Sequence, residues 1–292
     1  MSLLIGTRGS RLALAQAEKV CALLDLQGTA TEIVVISTQG DRETGVPLHE
    51  IGGQGVFVRA LDDAILSGEI DAAVHSMKDI PAARPAGLVT SAILERDSPA
   101  DFLAHSIPGD EVAVIGTSST RRRAQLLRSN PDLDIRQLRG NVDTRLRKLK
   151  SGEYDAIVLA EAGMQRMNLS LDGARLDPEK FVPSPNQGTI AVVSGTGREV
   201  CDAFSPLDHP STRADVEAER AVMEAVGGGC FTPQGIYCRD GYLIGEILSL
   251  DGSRSVRIEE EIDSPEKAGE CGARLRSMGR DLIREAYEKL GL

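Results

Sequence analysis

GVFVRALDDAILSGEIDAAVHSMKDIP, residues 55–81, is the stretch on which the fold class turns. From about Phe57 to Leu66 the apolar residues are spaced for one face of a helix, and Gly68 ends it. AAVHS (72–76) then reads as a strand whose end carries Lys78 and Asp79 just before Pro81. Helix passing directly into strand argues for α/β construction.

The pattern extends upstream. LLIGTR (3–8) is a short strand, and Ser10 caps a helix running to about Gly28 with Leu12, Ala15, Val20, Leu23 and Leu24 on its apolar stripe. TEIVVIST (31–38) is the next strand; residues 39–55, with five glycines and His49, read as an exposed irregular loop.

Downstream, EVAVIGT (111–117) opens a second unit of the same kind. A helix from about Thr120 to Arg128, a strand near Ile135–Leu138, and a helix capped by Asn141 or Asp143 and ending near Ser151–Gly152 follow. YDAIVLA (154–160) is a buried strand, Ala162, Met164 and Met167 mark a short helix, and TIAVVS (189–194) is a strand that can return to the first unit. Two α/β units side by side place a cleft beyond their strand ends. Thr212 followed by Asp215 suggests a capping box for a helix over 212–226. Alternating segments around 234–260 with an Asp251–Gly252 turn, and one helix from about Ser264 to Leu290, make a small α+β third unit.

Composition narrows the function. The 292 residues are 41% hydrophobic, which excludes a disordered chain, and carry a net charge of −11, which argues against a general binder of nucleic acid or anionic membrane. No long uncharged apolar window and no signal-peptide pattern occur, so a cytoplasmic protein without a membrane span is expected. Five scattered cysteines without a CxxC argue against a disulfide framework or zinc site, and no metal is expected.

The charge is unevenly placed. Ten basic residues against Asp132, Asp134 and Asp143 make residues 121–150 +7, leaving −18 on the rest. One reading is a solvated helix face paired to other domains. The other is a site for an anion with several carboxylates or phosphates, which the planar arginine fork grips through two donors. GTSSTRR (116–122), LRGNVDTRL (138–146) and IGTRGSR (5–11) favour the second: each brings Arg together with Ser or Asn to a strand end that opens a helix. Against these cations stands Asp79, either an ordinary solvent-facing turn residue or a base and counter-charge for a cationic intermediate. Lys78 suits an acidic ligand group, and His75, within the strand, reads as structural. Cys230 follows Gly227–Gly229; it is a nucleophile or covalent anchor on a thin loop, or a buried residue behind a glycine turn. Cys21 and Cys238 read as core residues.

IGTRGSRLALAQ (5–16), the stretch 55–81, IGTSSTRRRAQL (115–126), LRGNVDTRLRKL (138–149), YDAIVLAEAGMQRM (154–167) and the GGGC ending at Cys230 together resemble the porphobilinogen deaminase (hydroxymethylbilane synthase) family, in order and spacing over essentially the whole chain. The resemblance implies two α/β domains similar to type II periplasmic binding proteins, one of residues 1–92 with 188–209 and one of residues 93–187, plus an α+β C-terminal domain, 210–292, that anchors the cofactor. It implies a cytoplasmic monomer of tetrapyrrole and heme biosynthesis that joins four porphobilinogens head to tail, releases an ammonia at each addition, and frees linear hydroxymethylbilane.

The implied cofactor is a dipyrromethane held by a thioether to Cys230. The implied roles are Asp79 as the catalytic carboxylate; Lys78, Ser118, Arg121, Arg122, Arg139, Asn141, Arg145 and Gln187 as cofactor contacts; and Arg8, Ser10, Ser119 and Phe57 as substrate contacts. A growing chain of acetate- and propionate-bearing pyrroles is a polycarboxylate, which accounts for arginines grouped in an acidic protein. Glu50 and Gln54 stand where the family commonly has lysines, NQGT (186–189) replaces a GQGA-type segment, Val192–Val193 replaces an Ile–Glu pair, and Phe231 follows the anchor; these mark a divergent member of archaeal type. The alternatives are a two-lobed organic-anion binding protein, which needs neither Asp79 nor Cys230, a nucleic-acid binder using the +7 segment, and a cysteine hydrolase using Cys230.

Overall fold

Three sheets organise the chain in the computed structural model, which describes residues 2–37, 58–81, 84–227 and 229–291, with backbone alone at positions 110 and 230. The expected loop at 39–55 lies outside these residues. The chain divides into two compact units: Met1–Asp97, Gln165–Asn168 and Gly188–Arg213 form one, and Ser98–Met164, Leu169–Gln187 and Ala214–Leu292 the other.

In the first unit β1 (Leu3–Thr7), α1 (Arg11–Asp25), β2 (Thr31–Val35), α2 (Arg59–Leu66), β3 (Ala72–Ser76) and β4 (Leu88–Ile93) follow in order. The sheet runs β2-β1-β3-β10-β4, where β10 (Ile190–Gly195) arrives from far downstream and lies antiparallel to both neighbours. The return of 189–194 to the first unit is as expected. The helix starts where the sequence says: Ser10 Oγ accepts from Ala13 N–H at 3.3 Å. Its stripe, Ala17, Val20, Cys21 and Leu24, packs on Ile5, Ala72, Val74, Ile190 and Val192. Each fully buried Val, Leu or Ile there contributes on the order of 1.5–3 kcal/mol.

The second unit repeats that order with other strands. β5 (Asp101–His105), β6 (Val114–Gly116), α3 (Thr120–Ser129), β7 (Asp134–Arg136), α4 (Val142–Lys150), β8 (Ala156–Ala160), α5 (Glu161–Arg166) and β9 (Gly173–Arg175) give the sheet β7-β6-β8-β5-β9. Here the antiparallel insert, β5, precedes the other strands in the chain. Apolar clusters cover both faces of β8, one around Ile115, Leu126 and Val158 and the other around Leu138, Leu146 and Ile157. That is why YDAIVLA reads as a continuous apolar run.

After α6 (Arg198–Phe204) and α7 (Pro210–Val226), an antiparallel sheet β11 (Gln234–Arg239), β12 (Tyr242–Leu248), β13 (Ser255–Glu261) packs with α8 (Pro265–Met278) and α9 (Arg280–Leu290) around Val222, Ile236, Leu243 and Leu275. Two expectations change. The final helix is two helices, meeting at Gly279, where a Cβ would stand 2.8 Å from Ile247 Cδ1. Thr212 does not open α7: the helix begins at Pro210, Thr212 N–H donates to His209 Nδ1 at 3.2 Å, and Asp215 instead accepts from Asp240 and Gly241 N–H at the β11–β12 turn.

Candidate active site

The first unit gathers its functional groups at the ends of β1 and β3. A cavity of about 60 Å³ is lined by Arg8, Ser10, Gln16, His75, Ser76 and Asp79, with Val58 among its apolar walls. Local structure puts each one there. Arg8 and Ser10 occupy the turn between β1 and α1; Gln16, one turn further on, donates through Nε2 to Ser76 Oγ at 2.8 Å. Past Ser76 the chain makes a single 3-10 turn, Met77–Asp79, fixed by Met77 N–H to Thr189 O at 2.9 Å and Ile80 N–H to Met77 O at 3.2 Å. That turn leaves Asp79 exposed and Lys78 half-buried.

His75 is 5% exposed. Burial first, then the charges of Arg84 and Arg8, push its pKa down to about 3, so the imidazole is neutral at physiological pH. Its Nε2 is buried without a hydrogen-bond partner. Sequence reasoning missed Arg166, a buried guanidinium that donates to Asp97 Oδ2 at 2.8 Å and to Gly188 O at 2.6 Å and whose charge couples to that of Asp79.

In the second unit the serines and Asn141 are helix-start groups, as their local sequence indicates. Ser119 Oγ accepts from Arg122 N–H, Ser118 Oγ donates to Leu138 O at 2.8 Å, and Asn141 Oδ1 accepts from Thr144 N–H at 3.0 Å, settling the cap of α4 in favour of Asn141 over Asp143. Gly140 between Arg139 and Asn141 has φ of +108°, and a Cβ there would meet Thr144 Cγ2 at 2.6 Å, so this turn requires glycine. Arg139 and Arg145 are half-buried, and Arg145 Nε donates to Gly140 O at 2.8 Å.

Arg121 and Arg122 are placed differently from open ligand forks. Both are buried; they donate to opposite oxygens of Asp101 at 2.8 and 2.7 Å, and their other Nη atoms to Val182 O and Val158 O. Gln187 Nε2 completes the cluster at 2.8 Å from Asp101 Oδ1. Burial alone would raise the Asp101 carboxyl, but the two guanidiniums hold it well below the usual carboxylate range. Of the ten basic residues in 121–150, at least five are in ion pairs, the others being Arg128 with Glu246, Arg136 with Asp134 and Lys148 with Glu153.

Cys230 sits in a 3-10 turn, Gly229–Phe231, between α7 and β11; Gln234 Nε2 pins the preceding loop at the carbonyls of Gly227 and Gly229. Its side chain and Phe57 lie outside the described residues. Cys21 and Cys238 are buried core residues, as read from sequence. Among the described residues no His/Cys/Asp/Glu cluster could hold a metal, and no helix is long and apolar enough to cross a membrane. Arg8 and Lys78 in the first unit, and Arg139 and Arg145 in the second, are cations of the kind that pair with carboxylates.

These features define an α/β protein whose strand ends carry cations, hydroxyls and one carboxylate. The family model "Porphobilinogen deaminase, dipyromethane cofactor binding domain" matches residues 3–202, and "Porphobilinogen deaminase, C-terminal domain" matches residues 214–279. The probable porphobilinogen deaminase of Methanosarcina acetivorans is 51% identical over 97% of this chain and 94% of its own length. That of Archaeoglobus fulgidus is 44% identical over 98% and 99%, and the porphobilinogen deaminase of Nitratidesulfovibrio vulgaris 41% over 96% and 92%. The chain belongs to the porphobilinogen deaminase family. Solved structures of similar fold include a periplasmic substrate-binding protein of a Coxiella burnetii ABC transporter (15% identity, TM-score 0.43, 72% of this chain and 94% of that one) and the Bordetella pertussis BvgS periplasmic VFT2 domain (17%, 0.41, 70% and 85%).

Proposed function

We propose that this chain is a hydroxymethylbilane synthase: a transferase of tetrapyrrole biosynthesis that links four porphobilinogens head to tail, releases one ammonia per addition, and frees the linear product by hydrolysis. The observation that carries the reading is one cavity in which Asp79 stands with Arg8, Ser10 and Ser76, in a chain of this family. A bound dipyrromethane supplies the pyrrole carbon to which the first substrate is joined.

The residues act as follows. Arg8 binds a substrate carboxylate, with Ser10, Ser119 and Phe57 as further substrate contacts. Asp79 holds the pyrrole N–H, balances the positive charge that develops as ammonia leaves, and takes the ring proton after each coupling. Lys78, Arg139 and Arg145 bind cofactor carboxylates, with Ser118, Asn141 and Gln187 adding hydrogen bonds. Arg121 and Arg122 serve the same ligand through their charge: two guanidiniums against Asp101 leave a buried net charge of +1, drawing anions toward the start of α3. A thioether from Cys230 tethers the primer, so each later addition loses less association entropy. The reading keeps the division into 1–92 with 188–209, 93–187 and 210–292, a cytoplasmic monomer, and no nucleic-acid partner.

The test is turnover of porphobilinogen by the holoprotein. Four ammonia released per linear tetrapyrrole is the expected stoichiometry. Tight binding of porphobilinogen with no ammonia release would favour the organic-anion binding protein instead.

A further inference from the structure

His75 is unexplained by these roles. It lines the same cavity as Asp79, is almost wholly buried, and leaves Nε2 without a partner in a structure where the neighbouring Gln16 and Ser76 satisfy one another. A buried polar atom left unmade costs about 1–3 kcal/mol, so an orphan on a residue that lines a cavity points to a ligand group.

The surroundings select that group. Arg8 and Asp79 line the cavity with opposite charges, and Arg84, paired to Asp62 at 2.8 Å, is a second cation acting on His75. Porphobilinogen carries two carboxylates and one ammonium; Arg8 suits the former. We propose, building on the function above, that His75 binds the substrate directly, its Nε2 lone pair accepting a hydrogen bond from the aminomethyl ammonium that departs as ammonia.

The chemistry is consistent. When the C–N bond breaks, the bonding pair leaves with nitrogen as NH3, and the positive charge passes to the pyrrole ring, where Asp79 balances it. This requires the nitrogen to stay protonated until departure. An imidazole with a pKa of about 3 does not take a proton from an alkylammonium whose pKa is roughly 10, so His75 holds the leaving group without neutralising it. A carboxylate alone would hold the ammonium as well but would also trap it by charge.

Two unreactive probes test this: benzene analogues of porphobilinogen bearing the same acetate and propionate arms, one with and one without the aminomethyl group. Calorimetry on the holoprotein should show the amine-bearing analogue binding at least tenfold tighter. His75→Phe should abolish that preference and leave the amine-free analogue within about twofold, while His75→Gln, which keeps an acceptor, retains part of it. The 15N resonance of Nε2 in the wild type should lie at the unprotonated position and shift on adding the amine-bearing probe. Equal weakening of both analogues, an unchanged preference in the Phe variant, or a protonated Nε2 would overturn the assignment. Loss of wild-type turnover of porphobilinogen would instead overturn the function it builds on.

Discussion

Gln16 Nε2 donates to Ser76 Oγ at 2.8 Å, joining the first helix to the end of β3 three residues before Asp79. The contact spans 60 positions of sequence and ties α1 to Ser76, the residue from which the 3-10 turn carrying Asp79 starts. Gln16→Leu should therefore cost about 1 kcal/mol of stability and a larger share of kcat. Denaturant unfolding and steady-state rates on the same preparation check this; an undiminished kcat would mean the turn is positioned without Gln16.

Asp79 itself is exposed and makes little of the core. Asp79→Ala should lower coupling by roughly 10²- to 10⁴-fold while the protein stays folded and carries its primer. Single-turnover rates and intact mass read the two effects separately.

Cys230→Ser should yield a protein lacking the roughly 420 Da that a covalent dipyrromethane adds. Intact mass spectrometry decides it, and a serine variant still carrying that mass through denaturation would place the tether elsewhere.

Acid stability should report His75. Its folded pKa of about 3 lies below the unfolded value near 6.5, so between the two the unfolded chain binds the proton and the folded one does not. Stability is thus lost as pH falls through that window, by roughly 1.4 kcal/mol per pH unit from this group. His75→Gln should flatten the slope in unfolding experiments between about pH 6 and pH 4.

Asp101 is the shared acceptor of two buried guanidiniums, so Asp101→Asn leaves both uncompensated. A loss of about 3–5 kcal/mol in unfolding free energy is expected. In the wild type the depressed carboxyl contributes stability above its unfolded pKa, near 3.9, that disappears as pH falls through the folded value. A variant as stable as the wild type would show that the pair is solvated rather than buried.

The helix starts were legible because capping is local: Ser10, Ser119 and Asn141 each bond a backbone N–H three residues on, so residue type and spacing suffice. The start of α7 was misread for a related reason, since Thr212 followed by Asp215 has the form of a cap while the acceptor in use is His209 Nδ1. The +7 segment was legible as charge, but not the pairing of its arginines. Arg121 and Arg122 look like ligand forks until Asp101, about twenty residues upstream on β5, is brought against them. Arg166 left no trace at all, because its partners Asp97 and Gly188 lie 69 and 22 positions away.

By itself, then, the sequence settled the α/β class, the strand ends that carry cations and hydroxyls, the separate C-terminal α+β segment and the family, all of which rest on periodicity, caps and motif order within short windows. Tertiary structure decided which strand enters which sheet, with β10 and β5 as antiparallel inserts, that Arg121 and Arg122 pair with Asp101, and that His75 is neutral with an unmet Nε2. Strand insertion and burial are set by contacts between residues far apart in the chain, and a proton's affinity or an arginine's ion pair follows from those contacts rather than from the neighbours in sequence.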